Sequence, residues 1–424
     1  MKILVIVPDY PYPDYPFSGI FNERSVLALG EFCDTVEVLA PHPYAPPILS
    51  SLVPRWRTYR GIERRETRNR VLLERPAYVQ IPQLGGAFWT DPGAYFCCRG
   101  TARKMHRRAG FDAIISYDLV GAGGMAWRIG RDLDIPASGW ATGGDVRSAV
   151  SSSHRRVLLR AARNLDLVFY QSHELQKRVA ELLGTFTDLR PNSRHIVLPR
   201  GIPETPRLHR MECRNRIRSQ WRIQDDQVVI LNIGRIVREK GVFELMDAIA
   251  LAAAKDPKII CVLVGSKPDV DETRSLKKKL DKSPILKERV RLLPSCEPDK
   301  VWELLCAADI FAFPSHEEGM PNSLLEAMAM GVPAVAFAIP PVVEIDGGKG
   351  ALLTVPPLNV RLLAEAVLEL VASENQRVRL TEKARARVMD RFMVRKNMKE
   401  ALSRLTTVVE ERKYSHFSGS AKSA

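Results

Sequence analysis

The segment from Pro314 to Val335, PSHEEGMPNSLLEAMAMGVPAV, limits the fold of this chain more than any other. An apolar run, IFAFP at 310–314, leads into it, and a second, PAVAFA at 333–338, closes it; short unbroken apolar stretches of this kind suit parallel strands covered on both faces. Between them Gly319 permits a tight turn and Pro321 suits the first position of a helix. Ser323, Leu324, Leu325, Ala327 and Met328 carry that helix, which Gly331 and Pro333 end. The order strand, turn, helix, strand is the repeating unit of a doubly wound α/β sheet. A helix that begins beyond the carboxyl end of a strand offers free N–H groups and the positive end of its dipole, so a phosphate fits there.

Two acids frame this helix: Glu318 in the turn before it and Glu326 on its second turn. The spacing separates their jobs. Glu318 at the mouth suits hydrogen bonds from a polyol, and Glu326, further along, suits two vicinal hydroxyls such as those of a ribose. Taken as a bare pair, they read equally as a plain acid near a helix N-terminus and a solvated helix residue.

The segment resembles the signature of retaining glycosyltransferase family four. The matching positions are Glu318, Gly319, Glu326, Ala327, Met328, Ala329, Gly331 and Pro333. Upstream, GRIVREKG places Gly234, Arg235, Lys240 and Gly241 on that family's phosphate-binding motif. The resemblance is clear over roughly residues 225–390 and weaker over the first two hundred. It implies the GT-B architecture, two facing Rossmann-like domains with a cleft between them, and a nucleoside diphosphate sugar as donor. It further implies that Arg235 and Lys240 bracket the diphosphate with Gly234 and the backbone at Gly319, Met320, Pro321, Asn322 and Ser323. Glu318 then orients the sugar hydroxyls and Glu326 the ribose. In the first domain, Gly19 falls where a family loop approaches the donor diphosphate. The segment ATGGDV departs from the family's His-Gly-x-Asp. Aligned on Gly143 and Asp145, the histidine position holds Thr142, so either the reaction does not need that base or the alignment shifts; Thr142 and Asp145 are the candidates on the acceptor side.

The 424 residues, 45% of them hydrophobic, allow two cores. Domains are expected at 1–205 and 225–390, with a charged, proline-containing hinge at 206–224. A C-terminal stretch, 391–424, is expected to hold a helix near 396–412 that crosses back to the first domain and an irregular tail from Ser415. Expected strands include Ile3–Val7, Val36–Ala40, 112–118, 135–140 and 165–172 in the first half. In the second they are 228–234, 258–265, 289–294, 310–314, 333–338 and 350–355. The seven cysteines are odd in number and scattered, which points to a reduced, cytosolic protein. MKILVIVPDY reads as a first strand, not a leader peptide.

Charge is concentrated. The formal net charge is +14, and residues 51–110 hold 13 Lys and Arg against four acids, with Trp56, Tyr59, Phe88, Trp89, Tyr95 and Phe96 interleaved. Such a stretch suits an anionic membrane surface or a lipid diphosphate, which places the protein at the inner face of the cytoplasmic membrane. No zinc knuckle, RNP run or helix-turn-helix supports a nucleic-acid partner. Two Asp-x-Asp triplets, Asp132-Leu133-Asp134 and Asp269-Val270-Asp271, are weak metal signals; no metal and no other cofactor is expected. The function expected is transfer of a hexosyl group, with retention, to a saccharide acceptor, lipid-linked, in envelope or exopolysaccharide synthesis. A non-catalytic sugar-nucleotide-binding subunit and a nucleotide-sugar epimerase are the alternatives.

Overall fold

The computed structural model describes residues 1–12, 15–44, 59, 62–80, 89–149, 152–184, 194–266 and 271–420. The chain divides into two compact units, Met1–Arg200 together with Val394–Ala424, and Gly201–Met393.

The strands of the first unit are β1 (Lys2–Ile6), β2 (Thr35–Leu39), β3 (His42–Pro43), β4 (Arg65–Arg68), β5 (Val71–Glu74), β6 (Ala77–Tyr78), β7 (Ala113–Ser116), β8 (Ala137–Ala141), β9 (Leu167–Tyr170) and β10 (Arg194–Val197). Eight of them form one sheet in the order β10-β9-β8-β7-β1-β2-β5-β4, parallel except for the antiparallel β4–β5 pair. The apolar run at 3–7 puts β1 in the middle, and Ile3, Leu4, Val5 and Ile6 are wholly buried. Alternate residues face opposite layers. Leu4, Ile6, Ile114 and Val168 pack under the helices Ala94–Ala109, Ala122–Leu133, Ser152–Asn164 and His173–Leu183. Ile3, Val5, Val38 and Ile115 pack under the helix Ile20–Gly30 and the C-terminal helix.

In the second unit β11 (Val228–Ile233), β12 (Ile259–Ser266), β13 (Val290–Pro294), β14 (Ile310–Phe313), β15 (Ala334–Phe337) and β16 (Leu353–Val355) form a wholly parallel sheet, in the order β13-β12-β11-β14-β15-β16. The buried Asn232 of β11 spends its amide on the carbonyl of Ala312 in β14, at 2.9 Å, which ties the two central strands together.

Several expectations change. Residues 206–224 do not form a hinge: they hold the helix Arg210–Trp221, with Cys213 and Ile217 in the core of the second unit. Its charges turn inward. Arg218, 2% exposed, ion-pairs with Asp309 and donates to the carbonyl of Ala307, and Arg214 reaches Asp309 at 2.7 Å. The C-terminal helix spans Val394–Ser420, so it continues through the small polar residues expected to be irregular. The β4–β5 pair lies inside the basic stretch and has no Asn-Gly signal. Its turn is made by Asn69 and Arg70, both left-handed at φ 49° and 66°. Glu23 holds it, accepting from Arg68 at 2.6 Å and Asn69 at 3.0 Å. That stretch is therefore not one outward face: Arg75 is 3% exposed and ion-paired with Glu66. Residues 51–58, 60–61 and 81–88, with Trp56 and Phe88, lie outside the described residues, as do Asp269 and Val270 of the second Asp-x-Asp triplet.

Candidate functional site

In a parallel sheet whose strands run outward from a first central strand, the loops after that strand and its opposite neighbour part and leave a crevice at their carboxyl ends. In the second unit these strands are β11 and β14, which deliver Gly234-Arg235 and Pro314-Ser315 respectively.

The loop after β11 runs through Arg235, which is exposed and makes no ion pair among the described residues, to a single 3₁₀ turn, Arg238–Lys240. Gly241 follows at φ 64° and starts the helix Val242–Ala253. Only glycine fits there: a Cβ would lie 1.8 Å from the carbonyl oxygen of Pro314. This close approach sets the two loops edge to edge. The backbone N–H of His316 donates to the carbonyl of Glu239 at 2.9 Å, and the Ser315 hydroxyl lies 3.2 Å from the same oxygen.

At this junction Lys240 and Glu318 meet, Nζ against Oε1, with the Ser315 hydroxyl donating to the same carboxylate oxygen at 2.9 Å. Glu318 and Lys240 are thus one cluster, half-buried, with Ser315 almost fully buried beneath them. The sequence did not single out Ser315. Its signal was there: a hydroxyl residue immediately after a central parallel strand, one position beyond the proline.

The helix after this turn is Asn322–Ala329. Pro321 caps it in extended conformation and is not its first residue, and no side chain satisfies the leading N–H groups. Gly319, Met320 and Pro321 are buried, while Asn322 and Ser323 are partly open at the helix start. Glu326 is 6% exposed, which removes the reading of a solvated surface acid. An anion here meets bare amides, one unpaired guanidinium and one ammonium already positioned by a carboxylate.

The remaining sequence-predicted residues lie in the first unit. Gly19, at φ 67°, heads the helix Ile20–Gly30 with its missing Cβ 2.4 Å from the carbonyl oxygen of Asp9. The Asp145 carboxylate accepts from the backbone N–H groups of Leu119, Thr142, Gly143 and Val146 at 2.8–3.0 Å, and lies 3.4 Å from the Thr142 hydroxyl. It therefore holds the loops after β7 and β8 together.

The first unit has its own crevice, between β1 and β7. There a recess of about 280 Å³ is lined by Pro8, Pro41, Tyr78, Asp118, Asp145 and His154, among others. Asp118, absent from the sequence candidates, caps the helix Ala122–Leu133 by accepting from Gly121 and Ala122 at 3.0 and 2.7 Å, and remains partly open to the recess. Its carboxyl is pushed up to about 7, first by burial and then by the charge of Asp145, against the pull of the backbone N–H groups. The sequence hid it at the end of an apolar run, where it read as the last residue of the strand.

Asp132 of the first Asp-x-Asp triplet is occupied by Tyr95 at 2.8 Å and Arg103 at 3.1 Å, and Asp134 pairs with Arg412 at 2.7 Å. Among the described residues no group of three His, Cys, Asp or Glu is placed to hold a metal ion, and no helix is long and apolar enough to cross a membrane.

Residues 214–387 match the family model described as Glycosyl transferases group 1. Over 415 residues the chain is 28% identical to TuaC of Bacillus subtilis, assigned as a teichuronic acid biosynthesis glycosyltransferase, covering 97% of this chain and 99% of that one. Its fold is similar to the sucrose-phosphate synthase of Thermosynechococcus elongatus (TM-score 0.73, 18% identity, 96% of this chain and 100% of that one). It is similar as well to Anabaena HepE, solved in complex with UDP and glucose (TM-score 0.72, 17% identity, 96% and 100%). These neighbours share the GT-B fold, a two-domain α/β architecture with parallel sheets. The motifs at Gly234–Gly241 and Glu318–Pro333 both lie within residues 214–387, the part of the chain that matches the glycosyl transferases group 1 family.

Proposed function

We propose that the protein is a retaining hexosyltransferase that takes a nucleoside diphosphate sugar as donor and a lipid-linked saccharide as acceptor in envelope polysaccharide synthesis. The observation that carries this reading is the convergence of Lys240, Glu318, Ser315, Arg235 and an uncapped helix start at the carboxyl ends of β11 and β14. The name of TuaC supports the polysaccharide setting.

In the reaction the bond between C1 and the diphosphate oxygen breaks, and a bond from the acceptor oxygen to C1 forms on the same face. Negative charge grows on the leaving diphosphate, so donors aimed there stabilise the transition state more than the ground state. Arg235, Lys240 and the amides from Gly319 to Ser323 have that role, without a metal ion or other cofactor. The acceptor proton passes to the departing phosphate oxygen, which leaves no need for a base at Thr142. Glu318 orients the sugar hydroxyls and Glu326 the ribose. The saccharide acceptor enters the recess of the first unit, where Asp118 accepts a hydrogen bond from one of its hydroxyls.

The test is incubation of the purified protein with a panel of UDP-, GDP- and dTDP-hexoses, reading release of the diphosphate. Slow hydrolysis of one donor, unchanged by EDTA, is expected; no turnover of any donor, or loss with EDTA and recovery with Mn²⁺, defeats the proposal.

Two further outcomes follow. Hydrogen bonds to a charged group contribute about 1.5–3 kcal/mol, so Glu326→Gln is expected to lower donor kcat/KM by at least about tenfold with the melting temperature little changed; unaltered donor kinetics would remove Glu326 from the site. For Asp118 the sign follows from its raised carboxyl. Between the unfolded value near 4 and the native value of about 7 the native state holds more protons, so this carboxyl costs stability increasingly as pH rises through that window. The melting temperature of Asp118→Asn minus that of the wild type is therefore expected to be more positive at pH 8 than at pH 5. A difference independent of pH would show that Asp118 titrates normally.

A further inference from the structure

The helices of the first unit are charged very unevenly. Ala94–Ala109 carries Arg99, Arg103, Lys104, Arg107 and Arg108 and no acid, and Ser152–Asn164 carries Arg155, Arg156, Arg160 and Arg163 and no acid. Between them Ala122–Leu133 adds Arg128 and Arg131 with the single acid Asp132. These three pack side by side on one face of the sheet, each touching the next. The fourth helix of that layer, His173–Leu183, is different. It balances Lys177 and Arg178 with Glu181 and Glu174 in i,i+4 pairs, so the basic surface stops there.

In the opposite layer the C-terminal helix mixes six cations with three acids, and its arginines are paired, Arg395 with Glu31, Arg404 with Glu400 and Arg412 with Asp134. On the three basic helices, Lys104, Arg107, Arg155 and Arg156 are exposed and make no ion pair among the described residues. Self-repulsion of this kind opposes folding, so an unbalanced face is expected where an anionic partner neutralises it. Aromatic side chains sit among the cations. Phe96 is 57% exposed with Arg99 stacked at 5.3 Å, and Trp127 lies between Arg128 at 4.3 Å and Arg131 at 5.6 Å. An exposed ring within a field of arginines suits the boundary between lipid headgroups and acyl chains.

We infer that the surface formed by helices Ala94–Ala109, Ala122–Leu133 and Ser152–Asn164 docks on an anionic phospholipid bilayer. Two of its three helices lie outside the basic stretch at 51–110, and that stretch contributes its helix to the face while its Arg68 and Arg75 are used internally. The inference rests on the proposed lipid-linked acceptor for its purpose, but its test does not need an acceptor. The full chain is centrifuged with sucrose-loaded vesicles of phosphatidylcholine alone and of phosphatidylcholine with 30% phosphatidylglycerol.

Binding is expected only with the anionic lipid and is expected to weaken with salt. A surface Lys or Arg contributes about a fivefold factor, so the pairs Lys104→Glu/Arg107→Glu and Arg155→Glu/Arg156→Glu are each expected to weaken vesicle binding by at least about 25-fold. The reversal Lys277→Glu/Lys278→Glu, on an exposed helix of the second unit, changes net charge equally and is expected to leave binding as it was. Equal loss from all three pairs, or equal binding to neutral vesicles, overturns the inference. So does tighter binding to a 20-base-pair duplex than to vesicles at the same salt, which would assign the face to nucleic acid. Donor hydrolysis in lipid-free buffer is followed in parallel; its absence defeats the transferase reading alone, and retained hydrolysis with no vesicle binding defeats the docking face alone.

Discussion

Lys240→Ala is expected to lower kcat/KM for the nucleotide sugar by about 10²–10³-fold, the usual loss when one preorganised donor facing developing charge is removed. The geometry supplies the reason. Lys240 ends a 3₁₀ turn that Gly241 presses against Pro314, and its ammonium is already seated on Glu318 before any ligand arrives. Little rearrangement is needed when the diphosphate comes in, so most of the interaction is free to act on the transition state. In the variant the Glu318 carboxylate keeps the Ser315 hydroxyl, and it loses the cation that opposes its charge. Lys240→Ala and Glu318→Ala should therefore be strongly non-additive, the double variant being little worse than either single one. Steady-state kinetics with the preferred donor measures this. An unchanged kcat/KM in Lys240→Ala, or full additivity, would show that the two residues do not work on one substrate group.

Gly241→Ala is expected to be the most damaging single methyl group in the second unit. A Cβ at that position meets the Pro314 carbonyl oxygen at 1.8 Å, and the backbone, at φ 64°, is one that L residues adopt at a cost. Strain at a left-handed residue costs about 1–3 kcal/mol and forced overpacking a similar amount, so a loss of about 3 kcal/mol or more is expected. Because the clash separates the loops that carry Lys240 and Glu318, activity should fall with stability. Gly348→Ala is the control: it too has a left-handed backbone, at φ 71°, but nothing lies within 4 Å of the added carbon. Urea midpoints for the two variants decide the matter; equal shifts would mean that the contact with Pro314 relaxes freely.

The second unit was readable because each of its strands is a short apolar run bounded by Gly, Pro or charge, and a parallel sheet buried on both faces demands that pattern. The strand-turn-helix-strand segment at 310–338 placed Glu318 and Glu326 near the end of a central strand. What the sequence withheld was pairing at a distance. Nothing in local spacing says that Lys240 rests on Glu318, 78 positions on, or that Ser315 completes the cluster. The segment that holds the helix Arg210–Trp221 reads as a hinge because it is rich in charge and contains proline, whereas Arg214 and Arg218 converge on Asp309. The β4–β5 hairpin escaped because its turn uses Asn69-Arg70, whose left-handed pair is held by Glu23 from a distant helix. Asp118 escaped because a single acid after an apolar run carries no mark of the recess that raises its carboxyl.

The return of the last helix to the first unit bears on how the molecule comes into being. Met398, Ala401 and Leu405 fill the same side of the first sheet as Ile3, Val5 and Val26, so two stretches far apart in the polypeptide share one interior. A ribosome that has delivered the first two hundred residues has delivered a sheet with one face partly bare. The second unit, continuous from Gly201 to Met393, emerges with all its own strands in hand. Completion of the earlier-made half thus waits until the helix that begins at Val394 has followed the second unit out, and loss of that helix would damage the half that was translated first.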